Sequence, residues 1–581
     1  MRRIGKNGES LLKQNYIKGH ETSLDEVFKR CIDTYISSAY QNIRERIYEY
    51  AKKGWFCFST PALSNAGSPK SMPVACFLSK MGDTKEDISY TKKELEDLSF
   101  AGGGVAIDLS LIRSIGANIT GGGKTAGITA QGKAIESTVN SAQQGGSNRR
   151  GACAIYLSIH HPEIISFLNI RKISTGGDIE QKTPKLHHAI IISDEFMEAM
   201  KEGKSYDLRC PHTQNKIFEQ DAREMWSAIL KMRTETGEPY LFFQGNADRN
   251  LPEIYKRTGR KVTQSNLCSE ILLHTDTETT AVCVLLSVNL EYFDEWFDDV
   301  NFIIDMMRLL SGINGDFLYK VEKYMNDQSI QQYKKANYER AFKFAMMERS
   351  VGLGVMGWQY YLQKQNIAFD SEQAKELNIS VFSHIRRKVD GADTILATEW
   401  GTSPLSNQAG LYKHFSLTMA IAPTESISQL LDTTPSIEPC FSNIFNKVIG
   451  TGTFTIKNYY LERLLDKYDK NTDETWIEII KDGGSVKNLN FLTEQEKSVF
   501  KTAYEIDQKI LVQQAGDRQK YIDQGQSLNL FIDSETTSQE IHQIHKMIYD
   551  VGLPTAYYLR SQPPIRAKTM ECTNDICVAC Q

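Results

Sequence analysis

Several things are scarce in this sequence, and each shortage removes a class of function. Of its 581 residues, 67 are Lys or Arg and 72 are Asp or Glu, a formal net charge of −5. So even a balance gives no general attraction to nucleic-acid backbone or to an acidic membrane surface. No run of about 18 apolar residues occurs, so no transmembrane helix is expected. The N-terminus, Met1 to Asn7, is basic. No apolar stretch follows it, so it does not read as a secretory signal. Eleven cysteines are too few in so long a chain for an extracellular disulfide framework. The expected setting is a reducing cytoplasm, where disulfides are usually transient and catalytic. There is no Gly-x-x-x-x-Gly-Lys-Ser/Thr loop and no strict Gly-x-Gly-x-x-Gly fingerprint. Neither an internal repeat nor a low-complexity linker is visible. No Cys, His and carboxylate set has metal-ligand spacing, so no residue is assigned to a metal.

What is there centres on Ser265-Asn266-Leu267-Cys268-Ser269-Glu270-Ile271. An amide, a thiol and a carboxylate fall within five residues. If the stretch is extended, Asn266, Cys268 and Glu270 share one face. A hydrogen-bonding amide, a redox-active sulfur and a general base would then address one small volume. A lone Cys among apolar residues is usually a small buried hydrophobe. The other cysteines shift that balance. Cys283 lies in Ala281-Val282-Cys283-Val284-Leu285-Leu286-Ser287-Val288-Asn289-Leu290, Cys76 in Pro73-Val74-Ala75-Cys76-Phe77-Leu78, and Cys577 and Cys580 close the chain.

Read in order, the first 53 residues are helical, with a start at Ser23 and a capping partner at Glu26. Thr60-Pro61 favours an extended backbone before a turn-rich segment. Glycine clusters at 102–104, 121–123 and 145–146 allow close backbone approach, a weak signal alone. His160 and His161 lack partners at ligand spacing and read as structural. Residues 349–358 could be taken for a phosphate loop, but close helix–strand packing is preferred. An apolar strand ends in Pro423, and a helix starting there would offer an anion site. Two adjacent tyrosines, Tyr557 and Tyr558, are commonly just a half-buried strand. In the tail, Cys577-Val578-Ala579-Cys580 fits thiol–disulfide exchange better than zinc, which would need a fourth ligand beyond Cys572.

Asn-Leu-Cys-Ser-Glu-Ile at 266–271, followed by Cys-x-Leu-x-Ser-x-Asn-Leu at 283–290, resembles the active-site finger loop of the ribonucleotide reductase large subunit. The resemblance runs from about Phe58 to Gln581. It implies an α/β fold: a ten-stranded α/β barrel with a central finger loop, preceded by a helical region. The expected division is 1–55 helical, 56–560 barrel and 561–581 redox tail. Relatives with an N-terminal regulatory cone have a long segment before the first helices, so control through such a cone is expected to be missing.

The resemblance also implies roles. Cys268 would carry a thiyl radical that takes the 3′-hydrogen, Glu270 would take the 3′-hydroxyl proton, and Asn266 would hold the ribose hydroxyls. Cys76 and Cys283 would supply two electrons. Cys577 and Cys580 would reopen their disulfide and be reduced by thioredoxin or glutaredoxin, although Cys572 with Cys577 is another spacing seen among relatives. Substrate contacts would come from Thr60, Ala75, Cys76, 266–270 (Leu267 and Ser269 included), and Pro423, Thr424, Glu425, Ser426 and Ile427. Glu425 has no reason of charge to touch a diphosphate. Asp83 and Arg113 would contact a deoxynucleoside triphosphate or ATP effector at a homodimer interface, and Arg149 or Arg150 would carry the signal to the substrate base. Tyr557 and Tyr558 look like the radical relay of aerobic class I enzymes. They import an oxidising equivalent from a metal-bearing small subunit, with no cofactor bound in this chain. The expected substrates are ribonucleoside diphosphates. Alternatives are a cobalamin-dependent reductase, a glycyl-radical enzyme, an inactive homologue that binds a partner, and a zinc-binding structural protein.

Overall fold

The computed structural model describes residues 4–69, 71–142, 151–173, 182–449 and 452–562. Arg149, Arg150, Cys572, Cys577 and Cys580 lie outside the described residues. The strands are β1 (Phe56–Phe58), β2 (Cys76–Lys80), β3 (Gly104–Asp108), β4 (Cys153–Ser158), β5 (His187–Ile192), β6 (Ser205–Arg209), β7 (Lys216–Asp221), β8 (Tyr240–Phe243), β9 (Ala281–Asn289), β10 (Val351–Met356), β11 (Ile444–Ile449), β12 (Gly452–Lys457), β13 (Leu530–Ile532), β14 (Thr555–Ala556) and β15 (Leu559–Ser561).

Strands β2, β3, β4, β5 and β8 pair in that order, all parallel. Strand β9 runs antiparallel to β2 and parallel to β10. Single bridges continue the circuit, Leu353 to Met419 and Ile421 to Gln526, both parallel. Tyr557 N then donates to Leu528 O (3.0 Å) and Leu530 N to Tyr558 O (2.9 Å). Strand β13 runs parallel to β15, and β14 closes the ring antiparallel to β8. The ring is therefore a ten-membered barrel of two parallel halves, joined antiparallel at β2/β9 and at β8/β14. Segments 419–421 and 526–528 take part by isolated bonds rather than full ladders.

Parallel strands covered on both faces need apolar residues throughout. Every residue of β9 and of β10 is buried. Helices coat the outside, the long ones being Phe302–Asn326 and Glu372–Trp400. The N-terminal region is helical as expected: Lys6–Asn15, Leu24–Tyr35 and Gln41–Lys53. Ser23 and Glu26 form the expected reciprocal cap. Glycines 352 and 354 lie in β10, where a side chain would run into Leu285 or Ala420; the segment is a packed strand and not a phosphate loop, and the close neighbours are strands instead of the expected helix. Thr60 differs from expectation. It opens the helix Thr60–Asn65, with Ser59 as the extended residue before it. Pro61 lies in that first turn, where its missing N–H costs nothing. A second, smaller core around Leu461, Leu465, Trp476 and Ile479 forms beside the β11–β12 hairpin.

Candidate active site

The segment between the helix Glu253–Thr258 and β9 has no regular structure, yet Gln264, Ser265, Asn266, Ser269, Glu270 and Ile271 are each at most 1% exposed. Buried polar groups call for partners, and most of these find them on both halves of the barrel, Gln264 Oε1 and Ser269 Oγ excepted. Gln264 Nε2 donates to Ser79 O on β2 (2.8 Å), and the Tyr156 hydroxyl on β4 donates to Asn266 O (2.6 Å). From the opposite half, Gly525 N donates to Glu270 O (2.8 Å) and Leu272 N to Gln524 Oε1 (3.3 Å). The segment therefore runs through the barrel's interior. Two glycines make room for it. A methyl group at Gly104 would meet Leu267 Cδ2 at 3.0 Å, and one at Gly525 would meet Glu270 O at 3.1 Å.

The expectation of an extended 266–270 is corrected. Residues 267–269 form a turn, with Ser269 at φ +66°. Convergence comes from capping instead of alternation. Asn266 Oδ1 accepts from Glu270 N (2.9 Å) and Ile271 N (3.1 Å), which leaves its Nδ2 to donate to Cys76 Sγ (3.1 Å). Short polar side chains stabilise turns in this way.

Cys76 and Cys283 are direct cross-strand partners of β2 and β9. Residues so opposed have Cα atoms about 4.5–5.5 Å apart, inside the span a disulfide needs. Both are free thiols and buried. Burial first, then the nearby Glu270 carboxyl, pushes both thiols well above their usual range. Cys76 Sγ lies 3.9 Å from Glu270 Oε1, at the outer limit for a thiol donor. Burial raises Glu270 itself to about 7, with the hydrogen bond from Asn266 opposing the rise. Cys268 is part exposed. Its carbonyl oxygen lies 2.6 Å from the Ser527 hydroxyl, which is also 3.2 Å from Glu270 Oε2.

Tyr557 and Tyr558 occupy the break between β14 and β15, with ring centroids 4.4 Å apart. Tyr557 is fully buried and Tyr558 is 9% exposed. Pro423 to Ile427 follow directly from the Ile421–Gln526 bridge. A helix does start there, Glu425–Leu430 with Thr424 at its N-cap. The Thr424 hydroxyl accepts from Ser436 N (2.7 Å), and Glu425 pairs with Lys447 (2.8 Å). Thr60 Oγ1 lies 3.1 Å from the Tyr16 hydroxyl, and Ala75 N donates to Cys283 O (3.3 Å). Asp83 and Arg113 follow neighbouring strands and form an ion pair, while Arg113 Nη1 donates to Asn118 O (2.9 Å). His160 and His161 are held by Asp207 O and Ser193 Oγ, and by Ile112 O, as structural residues would be.

Sequence reasoning missed Ser527, Gln524 and Tyr156. Asp523-Gln524-Gly525-Gln526-Ser527 is a run without an apolar side chain just ahead of Leu528, the one signal that could have been followed. Tyr156 sits in an apolar strand and gives no signal.

The family model of the ribonucleotide reductase barrel domain matches residues 74–409 and 405–559. The chain belongs to the ribonucleotide reductase family. Among relatives, a Frog virus 3 (isolate Goorha) protein is 35% identical over 93% of this chain and 92% of its own, and bears the name of a ribonucleoside-diphosphate reductase large subunit. The ribonucleoside-diphosphate reductase large subunit of Invertebrate iridescent virus 3 is 32% identical over 96% of this chain and 93% of its own. Among solved structures, the class Id ribonucleotide reductase alpha subunit of Actinobacillus ureae is similar with a TM-score of 0.82, at 31% identity, over 96% of this chain and 97% of that one. The reductase barrel thus accounts for the ring closure seen above. Among the described residues no helix is long and apolar enough to cross a membrane.

Proposed function

We propose that this chain is the catalytic large subunit of a class I ribonucleotide reductase, reducing ribonucleoside diphosphates to 2′-deoxyribonucleoside diphosphates in the cytoplasm. The observation that carries the reading is the meeting of Cys76 with Cys283 across one strand pair, with Asn266 and Glu270 against the same thiol. Net, one diphosphate and two thiols give the deoxy product, a disulfide and water. Cys268 as a thiyl radical takes the 3′-hydrogen, so its S–H bond forms as the C–H bond breaks. Glu270 accepts the 3′-hydroxyl proton, a role suited to a carboxyl poised near neutrality. The 2′-oxygen leaves as water while Cys76 and Cys283 give up two electrons and close. The 3′-carbon then recovers its hydrogen from Cys268. Asn266 Oδ1 is occupied by the turn, so its Nδ2 is the group that can turn to a ribose hydroxyl.

The substrate diphosphate would lie along Pro423, Thr424, Ser426 and Ile427, with Glu425 neutralised by Lys447, and with Thr60, Ala75, Leu267 and Ser269 lining the nucleoside. Tyr557 and Tyr558 would relay the oxidising equivalent from a metal-bearing small subunit. Cys577 and Cys580 would reduce the buried disulfide and be reset by thioredoxin or glutaredoxin, since exchange needs an accessible thiolate. A deoxynucleoside triphosphate or ATP at Asp83 and Arg113 of a homodimer would set substrate preference through Arg149 or Arg150.

The test is CDP reduction with dithiothreitol and ATP, with and without a radical-bearing small subunit, beside Cys268→Ser. Turnover that requires the small subunit and falls roughly 10³-fold or more in the variant is expected, the scale for removing a reacting group. Turnover with adenosylcobalamin alone would move the chain to the cobalamin class. No turnover with a small subunit shown to be its partner would leave a binding protein.

A further inference from the structure

The N-terminal helical region meets the proposed substrate site at two places, and the function so far uses neither. The helix Lys6–Asn15 lies against the helix Glu425–Leu430, and Gly8 is what allows the approach. A methyl group there would meet Gln429 O at 2.6 Å and Leu430 Cα at 3.3 Å. Tyr16, which ends the first helix, is 1% exposed, and its hydroxyl lies 3.1 Å from Thr60 Oγ1. The short segment 8–16 thus joins the helix assigned to the diphosphate to Thr60. Glu425–Leu430 also packs on β1, which leads through Ser59 into Thr60. Thr60 therefore stands at the diphosphate end of the site.

Tyr16 is fixed from its backbone outward. Its carbonyl oxygen accepts from Arg30 Nη2 (2.9 Å). Arg30 Nη1 donates to Leu63 O (2.9 Å) and Ala66 O (3.0 Å), at the far end of the helix that Thr60 begins. Glu21 pairs with Arg30 (2.6 Å) and holds its fork in place. A planar guanidinium can serve several carbonyls at once in this way. Ser64 Oγ donates to Asn15 O (3.4 Å), a second tie between the same two pieces. The phenol is thus presented to Thr60 by a frame. A hydroxyl has one proton and two lone pairs. If Thr60 donates to Tyr16, its proton is spent within the protein. If Tyr16 donates, the Thr60 proton is left for another acceptor. A phosphate oxygen can only accept, and hydrogen bonds to ionised groups are the stronger ones. A bound diphosphate therefore selects the polarity in which Tyr16 donates.

We propose that Tyr16 is a positioning residue for substrate binding: it donates to Thr60 and so turns the Thr60 hydroxyl towards the phosphate next to the ribose. The inference rests on the reductase reading above and deepens it. It makes the N-terminal helical region part of the substrate site instead of a cover on the barrel. Tyr16 acts through Thr60, and no covalent step involves it.

The test is a double-mutant cycle on the full chain with its small subunit, dithiothreitol and ATP, and CDP as the varied substrate. Thr60→Val removes the hydroxyl and keeps the shape. It is expected to raise the CDP KM about tenfold or more, the scale of a hydrogen bond to a charged group. Tyr16→Phe is expected to raise the CDP KM about fivefold with kcat unchanged, the scale of one hydrogen bond. Added to Thr60→Val, Tyr16→Phe should bring no further rise. Added to Thr60→Ser, which keeps a hydroxyl, it should bring the same rise as in wild type. A merely structural Tyr16 would lower the melting temperature and act alike in every background. Wild-type KM in Tyr16→Phe would overturn the proposal, and so would an undiminished rise on Thr60→Val. Both outcomes leave the reductase reading intact. A wild-type chain that reduces no CDP with its own small subunit would remove that reading and this inference with it.

Discussion

Cys76 and Cys283 are held by two strands, whereas Cys268 is held by one turn. The strand pair needs no side-chain help. Its opposition follows from the register of β2 on β9, and a slip of one residue would send one sulfur to the other face. The turn depends on individual groups: the Asn266 amide, the Ser527 hydroxyl, the close backbone of Gly525, and Leu267 against Gly104. Burial follows the same division. The strand thiols are both buried, and Cys268 is part exposed. On the proposed function, the electron store would thus be part of the rigid frame, and the group that would meet both an incoming hole and a substrate sits on a piece that single hydrogen bonds can adjust.

The comparison breaks most sharply in one turnover. Cys577→Ser/Cys580→Ser enzyme, which lacks the tail pair, reduced beforehand and then freed of external reductant, is expected to form product and to lose thiols at Cys76 and Cys283 together, read by differential alkylation and mass spectrometry. Cys268→Ser is expected to give no product and to keep both thiols. Thiol loss at 76 and 283 in that variant would show that the pair oxidises without the radical step. Glu270 stands between the two regions. Glu270→Gln is expected to lower kcat/KM about 10²–10⁴-fold, the range for losing a general base. The base must be ionised to work, so the wild-type rate should rise with pH up to about 7 and then level, following the raised carboxyl. That rising limb should vanish in the variant. A wild-type profile with its limb near the ordinary carboxyl range would remove Glu270 from the role.

Much of this was readable in the residues, unevenly. The cysteine positions and the helical cap at Ser23 and Glu26 follow from short local patterns. The pairing of Cys76 with Cys283 came through family resemblance, because register between strands some 200 residues apart leaves no trace in spacing. The turn at 267–269 reads as extended from its sequence alone. Alternating polarity predicts a strand only where neighbouring backbone is free to pair, and here Asn266 consumes the amides of Glu270 and Ile271. Ser527 was invisible for the opposite reason, since a serine in a polar run looks like surface until a second segment buries it. Removing its hydroxyl tests the hold on the turn and on the Glu270 carboxyl, with the strands untouched. Ser527→Ala is expected to lower kcat about tenfold, matching one lost hydrogen bond of about 1–1.5 kcal/mol. The strand pair should still form its disulfide under mild oxidant. Loss of that disulfide would mean that the turn and the strands are not separable.

The smallest effect concerns stability. Burial raises Glu270 from 4.5 to about 7, so between those values the folded chain binds more protons than the unfolded one. Stability must then fall as pH rises through that window and stay level above it. A shift of that size is worth about 3 kcal/mol at most, since each unit is about 1.4 kcal/mol. Glutamine carries no such penalty. Its carbonyl can accept from Cys76, and its amide can donate to Ser527. Glu270→Gln is therefore expected to melt a few degrees above wild type at pH 8, with the gap closing towards pH 5. This inverts the catalytic result: the change that costs most of the rate gains stability, as expected where a charge is buried for use and not for folding. A gap that is constant with pH would place the gain in packing, and the carboxyl's raised affinity for its proton would no longer explain the site.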